Sequence, residues 1–161
     1  MKNNNSFTKS ERIVSQKLID ELFIGGQSHS LTAFPLRAVF LLADRKPSSQ
    51  NDTGTVVTTR PLKAIDKPAA QLLLSVPKRR FRHAVDRNRV KRQLREAYRN
   101  SRPLLTDHVP ADKQVLLAFI WMSDRHFSSA EVAQRVKLLL TRIASQISVD
   151  IPDTDNVVHI V

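Results

Sequence analysis

Eleven of the 26 lysine and arginine side chains lie between residues 78 and 102: Lys78, Arg79, Arg80, Arg82, Arg87, Arg89, Lys91, Arg92, Arg95, Arg99 and Arg102. Only Asp86 and Glu96 oppose them there, so this stretch supplies nearly all of the formal net charge of +11 and the remaining residues are close to balanced. The chemistry open to such a cluster is recognition of a polyanion. A planar guanidinium can hold a phosphate through two hydrogen bonds or stack on an exposed base, and the excess of arginine over lysine suits folded RNA. The same residues are poorly equipped to catalyse on their own. Two-metal phosphodiester hydrolysis needs clustered carboxylates, whereas Asp86 and Glu96 read as side chains that solubilise a helix or form ion pairs within it. The five histidines, His29, His83, His108, His126 and His159, show no ligand spacing such as His-x-x-x-His and read as ordinary polar surface. The absence of cysteine excludes disulfides, thiolate metal sites and cysteine nucleophiles.

Such a cluster acts as one surface only if regular structure holds it. Residues 84–99 contain no Gly or Pro and are rich in good helix formers, and Arg102-Pro103 stops the run. At about 100° per residue, Val90, Leu94 and Ala97 fall on one side and Asn88, Arg92, Arg95 and Arg99 on the other, flanked by Arg89 and Lys91. One face packs and the other is cationic. Like charges one turn apart repel by some tenths of a kcal/mol per pair, a cost that a bound phosphate backbone removes. Around this helix the pattern predicts a first helix over residues 10–23, capped by Ser10 and stopped by Gly25-Gly26. Strands are predicted over 34–43, 71–76 (ended by Pro77) and 114–122, and an amphipathic helix over 128–147 with Ser128 or Ser129 as cap and Glu131 in its first turn. Residues 44–70, polar and punctuated by Pro47, Pro61 and Pro68, read as a loop or hairpin insertion, and 148–161 as a flexible tail. The expected class is α/β or α+β, with the basic helix linking two neighbouring strands.

The 161 residues, 41% of them hydrophobic, suit a single domain, taken as residues 1–147. No apolar run approaches the roughly 20 residues of a spanning helix, and the first residues lack a signal-peptide core, so a cytoplasmic protein with no membrane partner is expected.

The run Ser75-Val76-Pro77-Lys78-Arg79-Arg80-Phe81-Arg82-His83-Ala84-Val85-Asp86-Arg87-Asn88-Arg89-Val90-Lys91-Arg92-Gln93-Leu94-Arg95-Glu96-Ala97-Tyr98-Arg99 resembles the signature of the ribonuclease P protein family. Its core, Arg-Asn-Arg-x-Lys-Arg-x-x-Arg, stands here as Arg87, Asn88, Arg89, Lys91, Arg92 and Arg95 without substitution. Glu11-Arg12-Ile13, Leu22-Phe23 and Gly25-Gly26 resemble the family's N-terminal helix and its closing glycine. The resemblance implies a fold similar to ribosomal protein S5 domain 2, with a left-handed crossover through the basic helix where the generic rule is right-handed. It further implies a subunit whose partner, the catalytic ribonuclease P RNA, carries the chemistry with bound Mg²⁺, while the protein aids removal of the 5′ leader from precursor tRNA. Two surfaces carry over. Lys78, Arg79, Arg82, Arg87, Asn88, Arg89, Lys91, Arg92, Arg95 and Arg99 would face the catalytic RNA. A cleft between the first helix and the sheet would guide the leader, with Ile19, Phe23, Phe34 and Phe40 as its candidates; Ile19 departs from the aromatic usual there. Phe119-Ile120-Trp121 likewise replaces residues that are often basic in the family, and Trp121 also fits the core.

Two rivals come from other binding classes. A structured-RNA protein of ribosomal type, without processing activity, would have the same composition but no reason to carry the residue-level motif. A DNA-reading helix-turn-helix is disfavoured because the basic helix follows a strand directly, and no DNA partner is expected.

Overall fold

The run Gln114-Val115-Leu116-Leu117-Ala118-Phe119-Ile120-Trp121 is apolar without alternation because both of its faces are covered. The computed structural model describes residues 7–44 and 68–150, and in it this run is the third-position strand of a four-stranded sheet. In chain order the elements are α1 (Gln16–Ile24), β1 (His29–Ala33), β2 (Leu36–Asp44), β3 (Ala70–Ser75), α2 (Ala84–Ser101), α3 (Pro103–Thr106), β4 (Lys113–Trp121) and α4 (Ser129–Asp150), after a 3₁₀ turn at Lys9–Glu11. The sheet order is β1-β2-β4-β3, with β4 antiparallel to β2 and parallel to β3. The parallel pair is joined through α2 and α3, as the basic-helix crossover requires.

Alternate residues of the strands point to opposite faces. Phe40, Leu72, Val115, Leu117, Phe119 and Trp121 face α2 and α4, meeting Val90, Leu94, Ala97 and Tyr98 from α2 and Val136, Leu139, Leu140 and Ile143 from α4. Val39, Leu41, Leu116 and Ala118 face the other way, onto Ile13 and Leu22, with Leu18 and Ile19 of α1 packed beside them. α2 is therefore held by its apolar stripe against a sheet buried on both sides, with its opposite face left to solvent.

Several boundaries differ from the sequence reading. The 3₁₀ turn takes Lys9–Glu11, and residues 12–15 then run extended, Ile13 N donating to the Leu72 carbonyl at 3.1 Å. That β-bridge to β3 delays α1 to Gln16, so its cap position is Ser15 and not Ser10. The glycine stop is as expected: a Cβ on Gly25 would lie 2.6 Å from the Glu21 carbonyl oxygen, and Gly26 has φ +74°. Phe34 and Pro35 form the turn before β2, and β1, too short and polar to signal itself, pairs with β2 as a hairpin. Ser128 caps α4, its Oγ accepting from Glu131 N at 3.2 Å while Glu131 accepts from Ser128 N at 3.0 Å. The hydrogen bonds that its carboxylate accepts from Ser128 N and Ser128 Oγ hold Glu131 below its ordinary pKa. α4 runs to Asp150, beyond the expected end at 147, because nothing interrupts it before Pro152, and Ser148 Oγ donates to the Ala144 carbonyl at 2.9 Å. Of the predicted insertion, Asp44 belongs to β2 and Ala70 to β3, and residues 45–67 lie outside the described residues, as do 151–161 of the predicted tail.

Tyr98 is fully buried under α2, its ring edge-on to Phe7 and Phe119, and its hydroxyl finds no hydrogen-bond partner among the described residues. Burial, reinforced by the charge of Glu11, pushes the phenol well above its ordinary pKa. A folded-state pKa raised above the unfolded value of about 10 gives stability that is complete below that pH and drains away above it. Alkaline denaturation of the wild type should thus steepen above about pH 10, whereas Tyr98→Phe should flatten this limb at little cost at pH 7. Denaturant midpoints measured from pH 7 to 11 for the two proteins check this.

Candidate nucleic-acid interface

β3 stops at Ser75, before Pro77, and the chain then turns, with Arg80 N donating to the Pro77 carbonyl at 3.0 Å. Phe81 plugs this loop into the core, while Lys78, Arg79 and Arg82 stay exposed. α2 begins at Ala84 with the loop at its N-terminal end, so loop cations and helix cations meet at one end of the molecule.

Along α2, Asn88, Arg89 and Arg92 are exposed and Lys91 and Arg95 are half-buried. Lys78, Arg79, Arg82, Arg89, Lys91, Arg92 and Arg95 form no ion pair with any acid among the described residues. Their charge is left for an external anion. Two of the predicted contacts are engaged differently. Arg87 turns back, its Nη1 donating to the carbonyls of Phe81 at 2.8 Å and Arg82 at 3.0 Å, so it shapes the loop. Arg99 pairs with Glu96 one turn away, and this hydrogen bond holds the Glu96 carboxyl below its usual range. Glu96 is thus the intrahelical partner that the sequence suggested. Asp86 is not: it reaches out of the helix to His126, Nε2 to Oδ1 3.0 Å. His126 in turn is no plain surface histidine, since its ring stacks on Phe81.

The α1 side of the sheet carries a groove of about 500 Å³ whose lining includes Lys17, Leu18, Glu21, Gln27, Leu41 and Leu116, with the Lys113–Asp44 ion pair at its edge. None of the four cleft candidates lines this groove: Ile19 packs half-buried between α1 and the sheet, and Phe23 is 43% exposed on the same helix. Phe40 lies in the opposite core, under α2 and α4, because its neighbours Val39 and Leu41 take the α1 face. Phe34 sits in the β1–β2 turn against Phe127, also away from the groove. Trp121 is core. The sequence reading missed Lys17 and Glu21; their i, i+4 spacing on α1 was the available signal.

No helix among the described residues is long and apolar enough to cross a membrane. Among the same residues no three His, Asp or Glu side chains come together as a metal site.

Comparison with known proteins places these features in a family. The model of the family described as Ribonuclease P matches residues 7–144. The ribonuclease P protein component of Porphyromonas gingivalis (strain ATCC 33277) is 32% identical over 142 residues, covering 87% of this chain and 88% of the relative. That of Chlorobium phaeobacteroides is 35% identical over 101 residues, 63% of this chain and 57% of the relative. Among solved structures, the RNase P protein from Thermotoga maritima superposes with a TM-score of 0.55 at 19% identity, covering 83% of this chain and 97% of that one. A Staphylococcus aureus RNase P protein mutant with defective mRNA degradation activity gives 0.51 at 18% identity, covering 85% and 90%.

Proposed function

The chain belongs to the ribonuclease P protein family, and from that premise we propose that it is the protein subunit that assists a catalytic RNA in removing the 5′ leader from precursor tRNA in the cytoplasm. The observation that carries the reading is the cationic face formed by the loop of residues 76–83 and the outer side of α2, on which Lys78, Arg79, Arg82, Arg89, Lys91, Arg92 and Arg95 pair with no acid among the described residues, set in the family's own signature. Lys78, Arg79, Arg82, Asn88, Arg89, Lys91, Arg92 and Arg95 bind the catalytic RNA, and residues 1–147 act as one domain. Arg87 contributes by holding the loop, and Arg99 lies at the margin of the face.

The division of labour follows from the chemistry present. Bond cleavage belongs to the RNA and the Mg²⁺ it binds, and no step passes through an ion held by this chain. What the protein supplies is positive charge fixed in place. Where RNA phosphates of enzyme and substrate converge, mobile cations must otherwise gather, and guanidiniums pre-set on a helix release them. The protein therefore lowers the Mg²⁺ concentration the RNA needs and strengthens substrate binding. The leader would run along α1, with Lys17 at the groove facing its phosphates and Phe23, exposed on another face of the same helix, offering a stacking surface.

This reading predicts that the assembled protein and RNA bind precursor tRNA more tightly than mature tRNA. Stacking of one base is worth about 1–3 kcal/mol, so Phe23→Ala should shrink that preference by roughly tenfold while leaving mature tRNA binding unchanged. Equilibrium titrations with both tRNAs measure it. Equal affinity of the wild-type assembly for the two would remove the leader from the account.

A further inference from the structure

The loop of residues 76–83 carries Lys78, Arg79, Arg80 and Arg82 but belongs to no helix or strand. Cations on a free loop would have to be ordered by the RNA at the moment of binding, at a cost in affinity for each side chain immobilised. In this structure contacts within the protein hold the loop, and several of them come from elsewhere in the chain. The segment linking β4 to α4, residues 122–128, runs beside it. There the ring of His126 stacks on Phe81, centroids 4.6 Å apart and planes at 17°, while its Nε2 lies 3.0 Å from Asp86 Oδ1 in the first turn of α2. Asp124 pairs with Arg80 at 3.3 Å. Gln93 Nε2, two turns into α2, donates to the Phe127 carbonyl at 3.0 Å.

We propose that this segment is a strap that sets the loop cations for RNA, and that His126 is its central positioning residue, acting through Phe81 and Asp86 without touching the RNA. The proposal rests on the functional reading above. The side chain has two tasks: a flat ring for the Phe81 stack and a ring nitrogen for Asp86. Phenylalanine would keep the first and glutamine only the second. Because Asp86 is in α2 and Phe81 is in the loop, one imidazole fixes the angle at which loop and helix present their charges together.

The test is a mutant cycle on the full-length protein, reading affinity for the catalytic RNA, with a thermal melt for every variant. His126→Ala should weaken binding about tenfold. The loss should vanish in a Lys78→Ala/Arg79→Ala/Arg82→Ala background, whose loop keeps only Arg80, already paired with Asp124, and persist in an Arg92→Ala background. Hydrogen exchange of the free protein should quicken over residues 76–83 and not in β4. His126→Phe should restore part of the affinity. Equal losses in both backgrounds would overturn the proposal, because a general loss of stability does not distinguish loop from helix. If His126→Ala does not fold, the same cycle run with His126→Gln decides the question by the same criterion. Failure of the functional reading looks different: the wild type would bind the catalytic RNA no better than an unrelated folded RNA, and the coupling, measured on that second RNA, would still decide the strap.

Discussion

Arg89→Ala/Arg92→Ala/Arg95→Ala should bind the catalytic RNA about three or more orders of magnitude more weakly than the wild type, and its log K against log salt slope should be shallower by about two to three. Each lost phosphate contact removes about 0.7–0.9 from the slope, and a charge-assisted hydrogen bond contributes about 1.5–3 kcal/mol. Because Arg95 is partly buried, its loss exposes packing as well as charge. Folding should hardly suffer. None of the three pairs with an acid among the described residues, and removing cations that stand three residues apart on the helix relieves repulsion between them. Filter binding or fluorescence titration across salt concentrations gives both quantities. A weakened affinity with an unchanged slope would mean that these arginines contact bases and that the phosphates are held elsewhere.

The second large effect lies on the other face of the same helix. Leu94 is fully buried between α2, the sheet and α4. Leu94→Ala should cost about 2–5 kcal/mol, the range for truncating a buried leucine and leaving part of its cavity. Against a total of about 5–15 kcal/mol for a typical domain, that is a substantial share. Its signature differs from the arginine variant: the denaturation midpoint falls while the salt slope of RNA binding stays at the wild-type value, since every phosphate contact survives in the molecules that remain folded. Adding RNA should recover part of the lost melting temperature by mass action. Together the two variants separate what α2 does for the fold from what it does for the ligand.

The same division explains what could be read in the sequence. α2 was legible in both aspects because its apolar residues recur at helical spacing and its charges fill the complementary positions. β2, β3 and β4 were legible as apolar runs, and the doubly covered sheet explains why β4 shows no alternation. Which face a strand residue takes was not legible, since a one-residue shift in register exchanges the faces; Phe40 looked like a cleft residue for that reason and lies in the opposite core. β1 is too short and polar to announce its hairpin with β2, and the extended segment at residues 12–15 is fixed by a bridge to β3 far along the chain, which no local pattern reports. The partners of Asp86 and Arg87 were hidden for a similar reason. Asp86 meets a histidine 40 residues away, and Arg87 folds back onto carbonyls of a loop whose path depends on Phe81 entering the core. Composition could count these charges, and only the tertiary arrangement shows which are spent internally.

The central claim is that the cationic face serves cleavage of precursor tRNA by a partner RNA. Its most direct test is single-turnover 5′ cleavage of a precursor tRNA by the cognate catalytic RNA at limiting Mg²⁺, without protein, with the wild type, and with the Arg89/Arg92/Arg95 alanine variant. Strong stimulation by the wild type is expected, most of it lost in the variant, with all three reactions converging as Mg²⁺ is raised. A folded wild type that binds the RNA yet leaves the cleavage rate unchanged would contradict it.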